Sequence, residues 1–366
     1  MKKNIAKLGM AAAVGAFSTA ALFATTASAE SLTIVSWGGA YTESQQKAYH
    51  EPWTKKTGVT IINEDKAQAG LAGLRAQVQA NNVTWDLVDI LPSEAQIACD
   101  EGLVELIDPA KHLAAAPDGT PAAKDFIQGA LGECFVASIV YSNIVAFNTE
   151  MFPGKKPSTI ADVFDLKKFP GKRALQKKPV NNLEWALMAD GVPANKVYEV
   201  LATKKGVERA LAKLDTIKSQ VIWWEEGAQP PQLLADKEVA FGSGYNGRIF
   251  NATVNEKQPF EIIWDAQVFE LDGWVVPKGK MAKVKDYLKF ATDTQRLADQ
   301  AKYISYGPAR SSSAGLVSTH ATTGIEMKPH MPTYGPNFKT ALPKDDAFWA
   351  DHLDELTERF NAWLAQ

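Results

Sequence analysis

Short β-branched runs that alternate with helical stretches constrain this chain more than any other feature. Ser31–Ser36 (SLTIVS), Val59–Ile62 and Asp86–Leu91 (DLVDIL) read as strands. Helical stretches run from Thr42 towards Trp53 and from Leu71 to Ala80, and a third follows Pro92-Ser93-Glu94 as far as Glu101. Strand and helix in turn at this spacing predict an α/β fold with a largely parallel sheet. Solutes bind such sheets beyond the carboxyl ends of the strands. The residues that follow each strand are therefore the first candidates for a site: Trp37 and Tyr41 after the first, Ser93 and Glu94 after the third.

The second half repeats the pattern less regularly. Ala137–Phe147 (ASIVYSNIVAF) is a long β-rich stretch and a candidate crossover between two lobes. A helix begins near Asn181, with Asn181, Asn182 and Glu184 at its amino end, and another spans Val207 to Lys218. Val221–Trp224 reads as a strand, Lys283–Ala301 as one amphipathic helix and Asp346–Leu364 as the last helix. The most informative stretch is Val239–Lys278. Its first apolar run stops at glycines and presents Tyr245, Asn246, Gly247 and Arg248. A separate run, Phe260–Trp264, is followed by Asp272 against Trp274 and then Val275-Val276-Pro277. Aromatics and fixed charges delivered together at strand ends suit a cleft that holds a small charged solute.

Met1–Ala29 has the form of a secretory leader: Lys2, Lys3 and Lys7, an apolar stretch from Leu8 to about Ala24, and Ala27-Ser28-Ala29 before Glu30. This predicts a soluble periplasmic protein with no stable membrane insertion. Without the leader's three lysines the chain keeps 36 basic and 42 acidic side chains, a net charge of −6. That balance argues against a nucleic-acid partner. Two cysteines, Cys99 and Cys134, form an even count in an exported chain and predict one disulfide.

Two enzyme readings fail on pattern. Gly242-Ser243-Gly244-Tyr245-Asn246-Gly247 spells G-x-G-x-x-G, the mark of a dinucleotide-binding enzyme such as an NAD-dependent one. The fingerprint should open a helix, and Ile249–Val254 reads as poor helix. No G-x-S-x-G surrounds a serine, and none of the five histidines has metal-ligand spacing to a second histidine or a cysteine. The chain is therefore read as a binding protein without cofactor or metal.

With these landmarks placed, the chain resembles the periplasmic polyamine-binding proteins, spermidine/putrescine type, of ABC importers. The resemblance runs from about Leu32 to the end. It is carried by Ser36-Trp37 with Tyr41, Lys55–Val59 (KKTGV), Trp85–Val88 with Pro92-Ser93, and Phe147–Phe152 (FNTEMF). It continues through Asp162–Leu175 (DVFDLKKFPGKRAL), Gly244–Gly247, Leu271-Asp272 with Val275–Pro277, and Tyr306-Gly307-Pro308. It implies a monomer of two α/β lobes hinged around a solute, which delivers that solute to permease subunits. Residues 30–147 with 272–308 would form one lobe, and 148–271 with 309–366 the other. It also implies that Trp37, Tyr41 and Tyr245 sandwich methylenes and that Asp272 grips an amine. A second amine-holding glutamate of the family matches Asn181, so that carboxylate is lost, with Glu94 and Glu184 as the nearby replacements. Arg248 is out of place beside a polycation. Asp272 and Arg248 together suit an ω-amino acid such as γ-aminobutyrate, while the class implied by the resemblance is polyamine import (putrescine or spermidine).

Overall fold

The computed structural model describes residues 30–366; the predicted leader lies outside the described residues. Eight principal strands follow in order: β1 (Ser31–Val35), β2 (Thr60–Glu64), β3 (Leu87–Ile90), β4 (Val136–Asn148), β5 (Arg173–Gln176), β6 (Val221–Trp224), β7 (Phe241–Tyr245) and β8 (Phe260–Val275). They form one mixed sheet in the order β2-β1-β3-β8-β4-β7-β5-β6. β1 pairs in parallel with β2 and β3, and β5 in parallel with β6 and β7. Between these parallel sets lie β4 and β8, antiparallel to each other and to their outer neighbours. This is the α/β periplasmic-binding-protein architecture, with helices flanking a mixed sheet.

The two long strands divide the packing. One core draws on β1, β3, the helices after them and the carboxyl end of β8, with Ile34, Leu87, Trp274 and Leu288 buried in it. A second draws on the far ends of β4 and β8 and the final helix, including Phe147, Phe241, Trp185 and Phe360. β4 and β8 run through both. Their pairing shifts register where Asn143 opposes Val268 and Val145 opposes Ile263. Ala266, inside that irregularity of β8, has φ 59°, a left-handed backbone uncommon for alanine. Cys99 and Cys134 are bonded, with Cα atoms 5.8 Å apart, and tie the helix Pro92–Asp100 to the chain entering β4. Closing that 35-residue separation restricts the unfolded chain by about 3–4 kcal/mol in the loop-entropy model.

Three sequence expectations need correction. The short strand read at Phe260–Trp264 is longer than that run. It begins β8, which carries on through the irregular Asp265-Ala266-Gln267 to Asp272 and Val275. Asn246–Val254 is a helix, despite weak helix formers, because Ile249, Phe250, Ala252 and Val254 are buried by neighbouring elements. The stretch read as one helix over Lys283–Ala301 is two, Met281–Ala291 and Thr294–Gln300, restarted by Asp293, whose side chain accepts from the Gln295 N–H.

Candidate functional site

A cavity of about 170 Å3 opens between the two cores, at the carboxyl ends of strands from both parallel sets. Trp37 and Tyr41 reach it because the chain turns sharply after β1. Gly38 and Gly39 take φ of 79° and 60° there, and the Gly38 N–H donates to Thr42 Oγ1 (2.9 Å). Tyr245 ends β7 and Arg248 lies in the first turn of the following helix. Asp272 comes from β8. All five line the cavity, so the structure brings together Trp37, Tyr41, Tyr245, Arg248 and Asp272 from positions far apart in sequence.

Asp272 is buried, and Trp37 Nε1 donates to both of its oxygens at 3.0 and 3.1 Å. Burial pushes its carboxyl up to about 7, against the hydrogen bonds from Trp37. Asp89 lies behind it. Its carboxylate accepts from Tyr41 Oη at 3.2 Å and from Gln45 Nε2 at 3.1 and 2.9 Å. Burial, then the neighbouring Asp272 charge, push the Asp89 carboxyl well above its ordinary value. Two desolvated acids this close resist ionising together, and a cation beside Asp272 would relieve that strain.

Tyrosine rings form a continuous wall. Tyr41 and Tyr306 lie 6.0 Å apart by ring centroid, Tyr306 and Tyr141 6.2 Å, and Tyr141 and Tyr245 5.9 Å. The guanidinium of Arg248 lies 6.0 Å from the Tyr245 ring centroid. Such a wall accepts methylenes on its faces and a cation over its rings. Next to it, Glu270 accepts from Asn143 Nδ2 at 2.7 Å and pairs with Lys344. Burial works to push its carboxyl up, but the Lys344 ammonium wins and holds Glu270 below the ordinary carboxylate range.

The other predicted site residues do not line the cavity. Trp274 is fully buried in the first core, edge-on to Tyr49 at 5.5 Å, so it is a packing residue. Glu184 is fully buried in the second core and accepts from Tyr198 Oη (3.2 Å) and Trp349 Nε1 (2.8 Å). Burial pushes its carboxyl up to about 7. Asn181 is buried at the start of the helix Asn182–Ala189 with φ 71°, a conformation asparagine tolerates. Ser93 and Glu94 lie in the first turn of the helix Pro92–Asp100, and Leu91 just before it lines the cavity in their place. Burial raises the Glu94 carboxyl, opposed by the charge of Lys344.

Sequence reasoning missed Gln68, Ile139, Tyr141, Ile304 and Tyr306 as lining residues. Ile139 and Tyr141 were accessible to it: they alternate along the strand already read as a crossover, so they share one face. Tyr306 depends on tertiary packing. A Cβ on Gly247 would lie 2.5 Å from its ring, so the glycine makes room for that tyrosine.

Two cores joined by two continuous strands, with a small aromatic and charged cavity between them, define a solute-binding protein of the kind that serves ABC importers. Residues 48–333 match the family model described as bacterial extracellular solute-binding protein, and the chain belongs to that family. It is a binding protein and not an enzyme, and its family role implies a small-molecule ligand and permease partners. It is 37% identical over 352 residues to a gamma-aminobutyric acid-binding protein of Pseudomonas aeruginosa, covering 96% of this chain and 95% of the relative. Similar solved structures include the Atu4243-GABA receptor (34% identity, TM-score 0.73, 92% of this chain and 98% of the other). Another is the binding protein MotA of A. tumefaciens B6 in complex with glucopine (31% identity, TM-score 0.76, 91% and 99%). The spermidine/putrescine-binding protein PotD of Streptococcus pneumoniae shares the fold at 16% identity and TM-score 0.65 (92% and 99%). Among the described residues, no helix is long and apolar enough to cross a membrane.

Proposed function

We propose that this protein captures γ-aminobutyrate, or an ω-amino acid of similar length, in the periplasm and delivers it to an ABC permease. The observation that carries the reading is one cavity lined by both Asp272 and Arg248 with tyrosine rings around it. The ammonium of the solute pairs with Asp272 over the Trp37 and Tyr41 side. Its carboxylate takes the Arg248 guanidinium in a two-point hydrogen-bonded pair. Its methylenes lie against the tyrosine wall. The named relatives support this solute over a polyamine. So does the arrangement of charge: a diamine would meet Arg248 at its far end, while Glu270 is already paired with Lys344.

No chemistry is required. The two lobes, taken as 30–147 with 272–308 and 148–271 with 309–366, close on the solute because it touches both walls only when they approach. The closed form is what the permease receives. Titration calorimetry of protein freed of carried-over ligand by unfolding and refolding tests the reading. Saturable one-to-one binding of γ-aminobutyrate, at least a hundredfold tighter than putrescine or spermidine, is expected. Tighter binding of either polyamine would overturn it.

A further inference from the structure

Asp272 is not the only acid on its face of β8. Glu270 lies two residues earlier, so it projects to the same side of the sheet about 6.8 Å along the strand. That separation is close to the reach of a four-carbon diamine. Glu270 opposes Tyr141 on β4, and its charge is felt by Tyr141 and Tyr245; both tyrosines line the cavity. Asp272 thus lines the cavity, and a second carboxylate, Glu270, lies beside two of its tyrosines at diamine spacing. One is open to a solute. The other is held by Lys344, whose ammonium also lies 3.0 Å from Asp346 Oδ1. Lys344 arrives from the segment leading into the final helix, and Leu342-Pro343 just before it pairs with Val268-Phe269 of β8. The lysine is therefore positioned by backbone pairing and not by chance of a flexible side chain.

We propose that Lys344 is a specificity-determining residue: by occupying Glu270 it removes the second carboxylate a diamine would need, and so leaves the cleft selective for a solute with one ammonium and one carboxylate. This rests on the ω-amino-acid reading of the cavity. Lys344 touches no part of the solute and acts through Glu270. Removing its charge leaves Glu270, near Tyr141 and Tyr245, without an ion-pair partner and with only the charge of Lys178 still acting on it. A far ammonium would then find a partner, and a far carboxylate would be repelled.

The test is calorimetric titration of wild type, Lys344→Met, Lys344→Arg and the double variant Lys344→Met with Glu270→Gln, each with γ-aminobutyrate and putrescine. Lys344→Met is expected to bind putrescine at least tenfold more tightly than wild type and γ-aminobutyrate at least threefold more weakly. Lys344→Arg should keep the wild-type preference, and the double variant should lose the putrescine gain. A merely structural lysine would shift both solutes in the same direction, and that result overturns the proposal. So does a putrescine gain that survives Glu270→Gln. Lys344→Gln, which keeps a hydrogen-bond donor without the charge, is carried in parallel. If circular dichroism shows that neither the Met nor the Gln variant folds, the lysine's role is to hold the fold, and the proposal fails. The wild-type titration separates the two levels: wild type that prefers putrescine refutes the ω-amino-acid reading, whatever the variants do.

Discussion

Asp272→Asn removes the one charge on which the solute's ammonium depends, while keeping the side chain's size and an oxygen to accept from Trp37 Nε1. Breaking a buried, paired charge costs about 3–5 kcal/mol. The wild-type protein does not realise all of that at neutral pH, because burial holds the Asp272 carboxyl up to about 7 and half of the empty protein must lose a proton to bind. That proton loss costs only about 0.4 kcal/mol at pH 7, so a net loss of about 3 kcal/mol remains, roughly 150-fold in affinity. The sign of the pH dependence follows. A bound ammonium favours the ionised carboxyl, so binding releases a proton and tightens as pH rises towards and through 7. From pH 7 down to 5.5 the ionised share of the empty protein falls about fifteenfold, and wild-type affinity should fall with it. Above about pH 8 the affinity levels off, because the solute's own amine, near 10 like a lysine, is still charged. Asp272→Asn should be weak and flat over the same range. Calorimetry at pH 5.5, 7 and 8, in two buffers of different ionisation enthalpy, reads both affinity and proton release. Less than a threefold loss in the variant, or a flat wild-type profile, refutes the placement of the ammonium.

The same logic assigns the opposite end. Arg248→Met should weaken γ-aminobutyrate about ten- to 150-fold, as expected for a lost charged hydrogen-bonded pair of about 1.5–3 kcal/mol, and should leave putrescine unchanged or improved by calorimetry; equal losses for both solutes would place Arg248 outside the recognition of carboxylate. Glu184→Gln separates core from site. The Glu184 carboxyl is raised to about 7 in the fold against about 4.3 unfolded, so the folded state holds the extra proton and wild-type stability falls between those pH values. The glutamine variant should therefore unfold at higher denaturant than wild type at pH 8, by about 1–3 kcal/mol, match it near pH 4, and bind solute as wild type does.

Much of the site was legible because its residues sit where strands end. Apolar runs such as Leu32–Val35 and Leu87–Ile90 mark their own length, and Trp37 and Tyr245 follow directly from where β1 and β7 stop. Asp272 and Arg248 drew notice as charges among aromatics. The failures have physical causes. Trp274 shares Asp272's face of β8, but it is packed into the first core, and only its contact with Tyr49 reveals that. Glu184 reads as a cleft acid at a helix start, yet its partners Tyr198 and Trp349 come from other elements, the latter 165 residues away. The strand read at Phe260–Trp264 stops short of the full β8 because a polar irregularity hides its continuation when the partner strand is unknown. The role of Lys344 had no local signature at all, since its significance lies in reaching Glu270, 74 residues earlier in the chain.

A crystal structure of the protein grown with γ-aminobutyrate tests the central claim most directly. The account predicts one solute in the cavity between the cores, its ammonium on Asp272 and its carboxylate on the Arg248 guanidinium, with Glu270 still paired to Lys344. A solute bound in the reverse sense, or lodged away from Asp272 and Arg248, would contradict it.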